Sequence, residues 1–182
     1  MIIVEGPDGG GKTTLIKFLS ELWELPVAPR VVSKDAQAMT DLKQWVEINV
    51  SKGWQNMIFD RHRLISEPIY GPILRSSQAS GFDNVDWLSV MMHKFYKAEP
   101  LIIYCMPPLE VVKQNIQNDP DNEVVQDQIE AIYTAYSARA AIDWHFSPLT
   151  MMVWDYTVHG KQAEPMRIFN RWGRIIERRR DW

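Results

Sequence analysis

The sequence predicts an α/β fold of three layers, in which a central five-stranded parallel sheet carries helices on both faces. Short apolar segments alternate with longer helical patterns along the chain, which is typical of parallel sheets. Two of these segments, residues 102–105 and 151–154, are apolar throughout, as expected of strands that are covered on both faces. A glycine-rich run, GPDGGGKT, occupies residues 6–13 between the first strand and the first helix.

These patterns assign the elements in order. Strands are predicted at about residues 1–5, 27–32, 56–60, 100–105 and 150–154. Helices are predicted at about residues 12–23, 36–52, 63–76, 84–98, 108–118, 123–144 and 162–179. The last helix has apolar residues at helical spacing and is expected to dock by one face. No repeat or low-complexity linker divides the chain, so residues 1–182 are expected to form one domain.

The run at residues 6–13 has the spacing G-x-x-x-x-G-K-[ST] of a phosphate-binding loop. Glycines let successive backbone N–H groups turn inward around a polyphosphate, and the following helix adds its positive N-terminal end. In such loops the lysine, here Lys12, reaches the β- and γ-phosphates, and the hydroxyl of Thr13 ligates Mg²⁺. The chain is therefore predicted to bind ATP within the three-layer fold of P-loop NTPases. The expected ATP ligands are Gly6, Gly9, Gly10, Gly11, Lys12, Thr13 and Thr14.

A second candidate segment begins where the third predicted strand ends, at Asp60 and Arg61. Ligands of open α/β sheets bind at the carboxyl ends of strands, and the phosphate loop lies at the same edge. We therefore expect both side chains to face the crevice that holds the nucleotide. The alternative is an ion pair at the surface.

Composition excludes several classes of protein. With a net charge of −3, nothing in the composition indicates nucleic acid or an anionic membrane as the main partner. No apolar stretch has the length of a transmembrane helix, and a first strand at Met1 leaves no room for a signal peptide. The single cysteine, Cys105, excludes an internal disulfide and suits a reducing cytoplasm.

These segments resemble thymidylate kinases. The opening EGPDGGGKTTL, residues 5–15, is similar to theirs, and residues 60–70 resemble their Asp-Arg…Ser…Tyr segment. The residues ISE at 65–67 and YG at 70–71 resemble the thymidylate-kinase-like proteins of bacteriophages more than the cellular enzymes. The resemblance implies a kinase that transfers the γ-phosphoryl group of ATP to a (deoxy)nucleoside monophosphate. It also implies Mg²⁺ as the cofactor and nucleotides as the binding partners. The expected location is the cytoplasm, which is that of the host if a phage encodes the protein. A homodimer is compatible with the resemblance.

The resemblance further implies a role for each site residue. The catalytic residues would be Lys12, Asp60 and Arg61. Thr13 and Asp60 would hold Mg²⁺. The acceptor would be bound by Asp8, Lys34, Arg61, Tyr70 and Arg75, with Asp8 at the sugar 3′-hydroxyl and Arg61 at the phosphate. For Tyr70 the alternative is core packing, and for Arg75 a solvated helix end.

The chain departs from the family in its cations. Lys34 is the one residue that could replace an arginine that follows the second strand in the family. In the predicted mobile lid, at about residues 113–123, Asn115 and Gln117 replace arginines, so an arginine at either position is expected to raise turnover. The nearest cations in sequence that could supply the missing charge are Lys113 and Arg139.

Two other functions remain open. A deoxynucleoside kinase would use Asp60 as a base, because a 5′-hydroxyl must lose a proton. A monophosphate is already anionic and needs cations instead, which Arg61, Lys34 and Arg75 could supply. The third reading is a degenerate nucleotide-binding or regulatory protein. A GTPase switch is disfavoured, since the chain has no Asn-Lys-x-Asp segment.

Overall fold

The sheet of the protein consists of four parallel strands in the residues that its computed structural model describes, which are 1–29, 36–51, 56–74, 84–117, 123–146 and 151–159. The strands are β1 (Ile2–Glu5), β2 (Ile58–Asp60), β3 (Leu101–Cys105) and β4 (Met151–Trp154). Their spatial order is β2-β1-β3-β4. In this register Ile3 lies between Phe59 and Ile102, so β1 is central and its carboxyl end opens into the phosphate loop.

Eight helices accompany these strands in the same part of the chain. They are α1 (Lys12–Trp23), α2 (Ala36–Ser51), α3 (Arg63–Leu74), α4 (Val85–Lys97), α5 (Leu109–Gln117), α6 (Glu123–Asp127), α7 (Ile129–Phe146) and α8 (Tyr156–His159). The predicted helix at 123–144 is divided into α6 and α7 by a turn in which the N–H of Gln128 donates to the carbonyl of Val125 at 3.2 Å. The short helix α8 was not expected from the sequence.

The prediction of a five-stranded sheet is wrong for the described residues, in which the sheet has four strands. Where a strand was expected at 27–32, the described residues form only a single bridge from Val27 to Ile58. The N–H of Ala28 donates to Ile58 at 2.8 Å, and the N–H of Ile58 donates to Pro26 at 2.9 Å. The ring of Pro29 holds its φ at about −65°, whereas residues of parallel strands have φ of about −120°, so Pro29 does not favour continuation of the bridge as a regular strand.

Some predicted elements lie outside the described residues. These are residues 30–32, the lid segment 118–122 and the helix at 162–179.

Each face of the sheet is covered by its own hydrophobic cluster. On one face, residues such as Ile3, Phe59 and Ile102 pack beneath α2, α3, α4 and α7. On the other face, residues such as Val4, Ile58 and Ile103 pack against α1. Alternate residues of a strand point to opposite faces, and burial of both sets explains why the strands are apolar throughout. Among the described helices, none has the length and apolar character needed to cross a bilayer.

Candidate active site

The loop between β1 and α1 has a backbone that requires glycine. Gly6, Gly9 and Gly11 have φ angles of 131°, 76° and 86°, a region that other residues rarely adopt. A Cβ on Gly6 would lie 2.4 Å from the carbonyl oxygen of Cys105. The loop therefore lies tightly against the end of β3 and leads directly into α1, whose first-turn N–H groups are suited to bind an anion.

Lys12 is held inside this loop. Its side chain is buried, and its Nζ donates to the carbonyl of Pro7 at 2.6 Å. Burial and the positive charge of Arg61 lower the pKa of Lys12 to about 8. A polyphosphate in the loop would supply the negative charge that stabilises this ammonium group.

Three of the predicted acceptor residues meet in one cluster. Nη2 of Arg61 lies 2.6 Å from Oδ1 of Asp8 and 2.6 Å from the hydroxyl of Tyr70. The Tyr70 hydroxyl in turn donates to Oδ2 of Asp8 at 2.9 Å. The Arg61 side chain is only 9% exposed, so its pair with Asp8 is not a surface ion pair. The two other predicted acceptor ligands, Lys34 and Arg75, lie outside the described residues.

The electrostatics of this cluster keep Asp8 ionised. Burial by itself would raise the pKa of Asp8, but the charges of Arg61 and Lys12 lower it to about 2. The ring of Tyr70 also lies 4.6 Å beneath the Arg61 guanidinium, and it packs against the core as well. The cluster thus holds a permanent cation and a permanent anion beside the phosphate loop.

Asp60 and Thr13 are the residues suited to a magnesium ion. Asp60 ends β2, and its Oδ1 is buried without a hydrogen-bond partner in the part of the chain that the structure describes. The side chain of Thr13 is exposed at the start of α1. The described residues contain no cluster of three or more histidine, cysteine or acidic side chains that could hold a metal alone. Both side chains carry oxygen atoms, the ligand type that Mg²⁺ prefers together with phosphates and water, and their role as metal ligands stays a prediction.

Sequence reasoning missed Glu5, the last residue of β1. Its carboxylate is fully buried, and it accepts hydrogen bonds from the backbone N–H of His62 at 2.6 Å and from the hydroxyl of Tyr136 at 3.0 Å. Burial raises the pKa of Glu5 to about 7, although both bonds oppose the rise. The sequence did contain a signal, because Glu5 directly follows the apolar residues 1–4 of a predicted buried strand. A glutamate that is buried almost always has polar partners, so its position indicated a residue held by specific hydrogen bonds.

A second missed feature is an aromatic cavity of about 480 Å³ beside the loop. Its lining residues are Gly11, Thr14, Leu15, Phe18, Asn115, Trp154 and Tyr156. The rings of Trp154 and Tyr156 lie 5.9 Å apart in a tilted arrangement. Nδ2 of Asn115 donates to the carbonyl of Gly9 at 2.8 Å and to the Tyr156 hydroxyl at 2.7 Å. A flat, largely apolar ligand next to the phosphates is the chemistry that this cavity suits.

The two cations considered as replacements for lid arginines are engaged elsewhere. Lys113 pairs with Glu130 at 2.5 Å and with Glu110 at 3.5 Å on the surface. Arg139 pairs with the buried carboxylate of Asp143 at 3.0 Å. Neither contact is with the phosphate loop, and Arg139 belongs to the packing of α7 rather than to a solvated helix face.

Comparisons with known proteins support the fold assignment. No protein-family model matches the chain, and no curated protein matches it in sequence. Deoxyadenosine kinase from M. mycoides with products dCMP and a flexible dCDP has a TM-score of 0.60 and 18% identity, and the match covers 96% of this chain and 98% of that one. The same enzyme with bound dCTP gives a TM-score of 0.57 and 20% identity over 94% and 98%.

A third structure is the YorR protein from Bacillus subtilis in complex with phosphorylated GDP. Its TM-score is 0.56 at 19% identity, with 86% of each chain covered. Neither protein is described as a thymidylate kinase, so that finer assignment and the phage type stay predictions. The protein has the α/β fold of P-loop kinases, with a parallel sheet flanked by helices.

Proposed function

We propose that the protein transfers the γ-phosphoryl group of ATP to a deoxynucleoside monophosphate, as the thymidylate kinases that it resembles do. The observation that carries this proposal is the guanidinium of Arg61, which is buried beside the phosphate loop and held by Asp8 and Tyr70. A monophosphate brings negative charge into the site, and an arginine can bind it through two parallel hydrogen bonds.

The donor would occupy the loop and the aromatic cavity. The loop amides and Lys12 bind the β- and γ-phosphates, and the base lies in the cavity near Trp154 and Tyr156. Thr13 directly, and Asp60 through water, would hold Mg²⁺, which neutralises charge on the phosphates when bound. Lys12 stabilises the charge that develops on the transferred group, because its Nζ already lies within the loop.

Binding of the acceptor exchanges partners within the Arg61 cluster. The acceptor phosphate takes the place of Asp8 at Nη2 of Arg61, and the released carboxylate accepts a hydrogen bond from the sugar 3′-hydroxyl. Asp8 is ready for this role at neutral pH because its pKa lies at about 2. No base is required, since the attacking phosphate oxygen is already anionic.

A deoxynucleoside kinase is the second candidate. It is favoured by the buried Oδ1 of Asp60, which lacks a partner among the described residues and could accept the proton of a 5′-hydroxyl. It is also supported by the shared fold with a deoxyadenosine kinase. The two candidates differ in which residue the chemistry depends on. A monophosphate acceptor depends on Arg61, and a nucleoside acceptor depends on Asp60 as base.

Removal of the Arg61 side chain tests the proposal. We expect Arg61→Ala to lower kcat/KM for the monophosphate by at least about 10²-fold, while ATP binds with near-normal affinity. The acceptor KM, kcat and ATP Kd are to be measured separately. Lys94→Ala is the control, because it removes an exposed positive charge on α4, away from the loop. If Arg61→Ala weakened ATP binding as much as it weakened use of the monophosphate, Arg61 would not be a residue of the acceptor site.

A further inference from the structure

Arg61 lies at a backbone turn that an arginine does not adopt readily. Its φ angle is 65°, in the left-handed region where non-glycine residues are uncommon. Two hydrogen bonds hold the turn in place. The N–H of Arg61 donates to Val4 at 3.0 Å, and the N–H of the next residue, His62, donates to Oε1 of Glu5 at 2.6 Å. The turn is thus fixed by the last two residues of β1.

The Arg61 side chain is connected to the same carboxylate by a second route. Oε2 of Glu5 accepts from the hydroxyl of Tyr136 on α7 at 3.0 Å. The Tyr136 ring packs edge to face on the Tyr70 ring, with centroids 6.0 Å apart. The Tyr70 hydroxyl contacts Nη2 of Arg61 at 2.6 Å. A closed ring of contacts therefore runs from Glu5 through the turn to Arg61 and back through two tyrosines.

Full burial of a carboxylate is unfavourable; within the described part of the chain the charges of Arg61 and Lys12 favour the ionised form of Glu5, but neither cation forms an ion pair with it. Both of its bonds come from neutral donors, one on the turn and one on α7. The position immediately after it, Gly6, presents its carbonyl to Nε and Nη2 of Arg61 at 3.4 Å. Both hydrogen bonds that the Glu5 carboxylate accepts from the described residues thus belong to the ring of contacts that holds the Arg61 guanidinium.

We propose that Glu5 is a positioning residue for phosphoryl transfer. Its buried carboxylate fixes the turn at Arg61 and His62 and thereby orients the Arg61 guanidinium toward the acceptor phosphate. This inference rests on the proposed function for the identity of the group that Arg61 binds. It assigns no contact between Glu5 and the substrate.

Two substitutions of Glu5 test whether acceptor use depends on its hydrogen-bond acceptor, on its charge or on its size. Glu5→Gln keeps an acceptor for the His62 N–H and keeps the shape of the side chain. Glu5→Leu keeps the bulk and removes the acceptor. Tyr104→Phe is the matched stability control, because it removes one buried hydroxyl, which donates to Asp143, and keeps the aromatic ring that packs on Tyr136. For each variant, acceptor KM, kcat, ATP Kd, the free energy of unfolding and hydrogen exchange at the His62 amide are measured.

We expect Glu5→Leu to lower kcat/KM for the monophosphate by about 10²-fold, the size of effect that a misplacement of about 1 Å can cause. ATP Kd should remain near that of the wild type, and the His62 amide should exchange faster. Glu5→Gln should stay within severalfold of the wild type in kcat/KM for the monophosphate and in the exchange rate of the His62 amide. Tyr104→Phe should keep the wild-type kcat/KM for the monophosphate even if its free energy of unfolding is lower.

Three results would overturn the inference. These are normal acceptor kinetics in Glu5→Leu, equal losses in Glu5→Gln and Glu5→Leu, and a matching loss in Tyr104→Phe. A wild-type protein that phosphorylates no monophosphate would instead overturn the proposed function. In that case, unchanged exchange of the His62 amide in Glu5→Leu would still contradict a role for Glu5 in holding the turn.

Discussion

Lys12 is a buried cation, and under the proposed function the charge of a bound polyphosphate would compensate it. Its ammonium donates to the carbonyl of Pro7, and burial lowers its pKa to about 8. We expect Lys12→Ala to lower kcat by at least about 10²-fold, because the variant loses charge stabilisation in a desolvated site. The fold should be at least as stable as the wild type, since an unfavourable buried charge is removed. A coupled ATP assay and a thermal melt measure the two effects, and near-normal turnover would refute the role of Lys12.

Asn115 and Gln117 stand where the thymidylate kinases have lid arginines, and an arginine at either position was expected to raise turnover. The structure gives the two residues different contacts, so we now expect different effects. Asn115 donates to Gly9 of the loop and to Tyr156 of the cavity, whereas Gln117 is exposed at the end of α5. We expect Asn115→Arg to weaken ATP use about tenfold, because it breaks a hydrogen bond to the loop and another to the cavity wall. Gln117→Arg should raise kcat, because it adds a cation without breaking these bonds.

Steady-state kinetics with varied ATP distinguish these two outcomes. An increase in kcat for Asn115→Arg, or a loss for Gln117→Arg, would show that the bonds of Asn115 do not order the loop.

At the scale of elements, the start of α3 depends on a histidine that must remain neutral. His62 is fully buried, and its Nδ1 accepts from the N–H of Leu64 at 3.3 Å, which assigns the proton to Nε2. Burial, with a smaller contribution from the charge of Arg63, lowers the pKa of His62 to about 3. Between pH 6.5 and pH 3 the unfolded chain binds a proton that the folded protein does not, so the stability supplied by this residue is lost as the pH falls through that range.

The variant His62→Asn isolates this effect. Asparagine keeps an acceptor for the Leu64 N–H and does not titrate. We expect the wild type to lose about 2 kcal/mol more than the variant between pH 7 and pH 5, as measured by urea unfolding. His93→Asn, at an exposed position of α4, should follow the wild type. The raised pKa of Glu5 makes its contribution to stability increase as the pH falls, but Glu5 is present in all three proteins and does not affect their comparison. Parallel losses in the wild type and His62→Asn would contradict the account.

Local patterns were sufficient to predict most elements and part of the site. The helix that follows the phosphate loop begins at Lys12 and ends at Trp23, as its apolar spacing predicts. Asp8, Arg61 and Tyr70 were assigned to one acceptor site although 62 residues separate the first from the last, and the structure brings them into contact. The assignment came from the resemblance to thymidylate kinases, and the role of the three residues in binding an acceptor stays a prediction.

Features that depend on tertiary contacts were not predictable in this way. A strand was expected at 27–32, but its described residues form a single bridge from Val27 to Ile58, and the ring of Pro29 restricts its φ to about −65°. Arg139 was considered as a lid cation from its place in the sequence, and its partner proved to be Asp143 one helical turn away. The role of Glu5 depends on bonds to residues 57 and 131 positions away, which no local pattern contains.

For the whole molecule, the central claim is that the acceptor is a nucleoside monophosphate rather than a nucleoside. The most direct test incubates the wild-type protein with ATP and Mg²⁺ and each deoxy- and ribonucleoside monophosphate, with the corresponding nucleosides as controls, and identifies the products by ³¹P NMR. The account predicts that at least one monophosphate is converted to its diphosphate and that the nucleosides are unchanged. Phosphorylation of a nucleoside with every monophosphate inert, or no transfer to any acceptor, would contradict it.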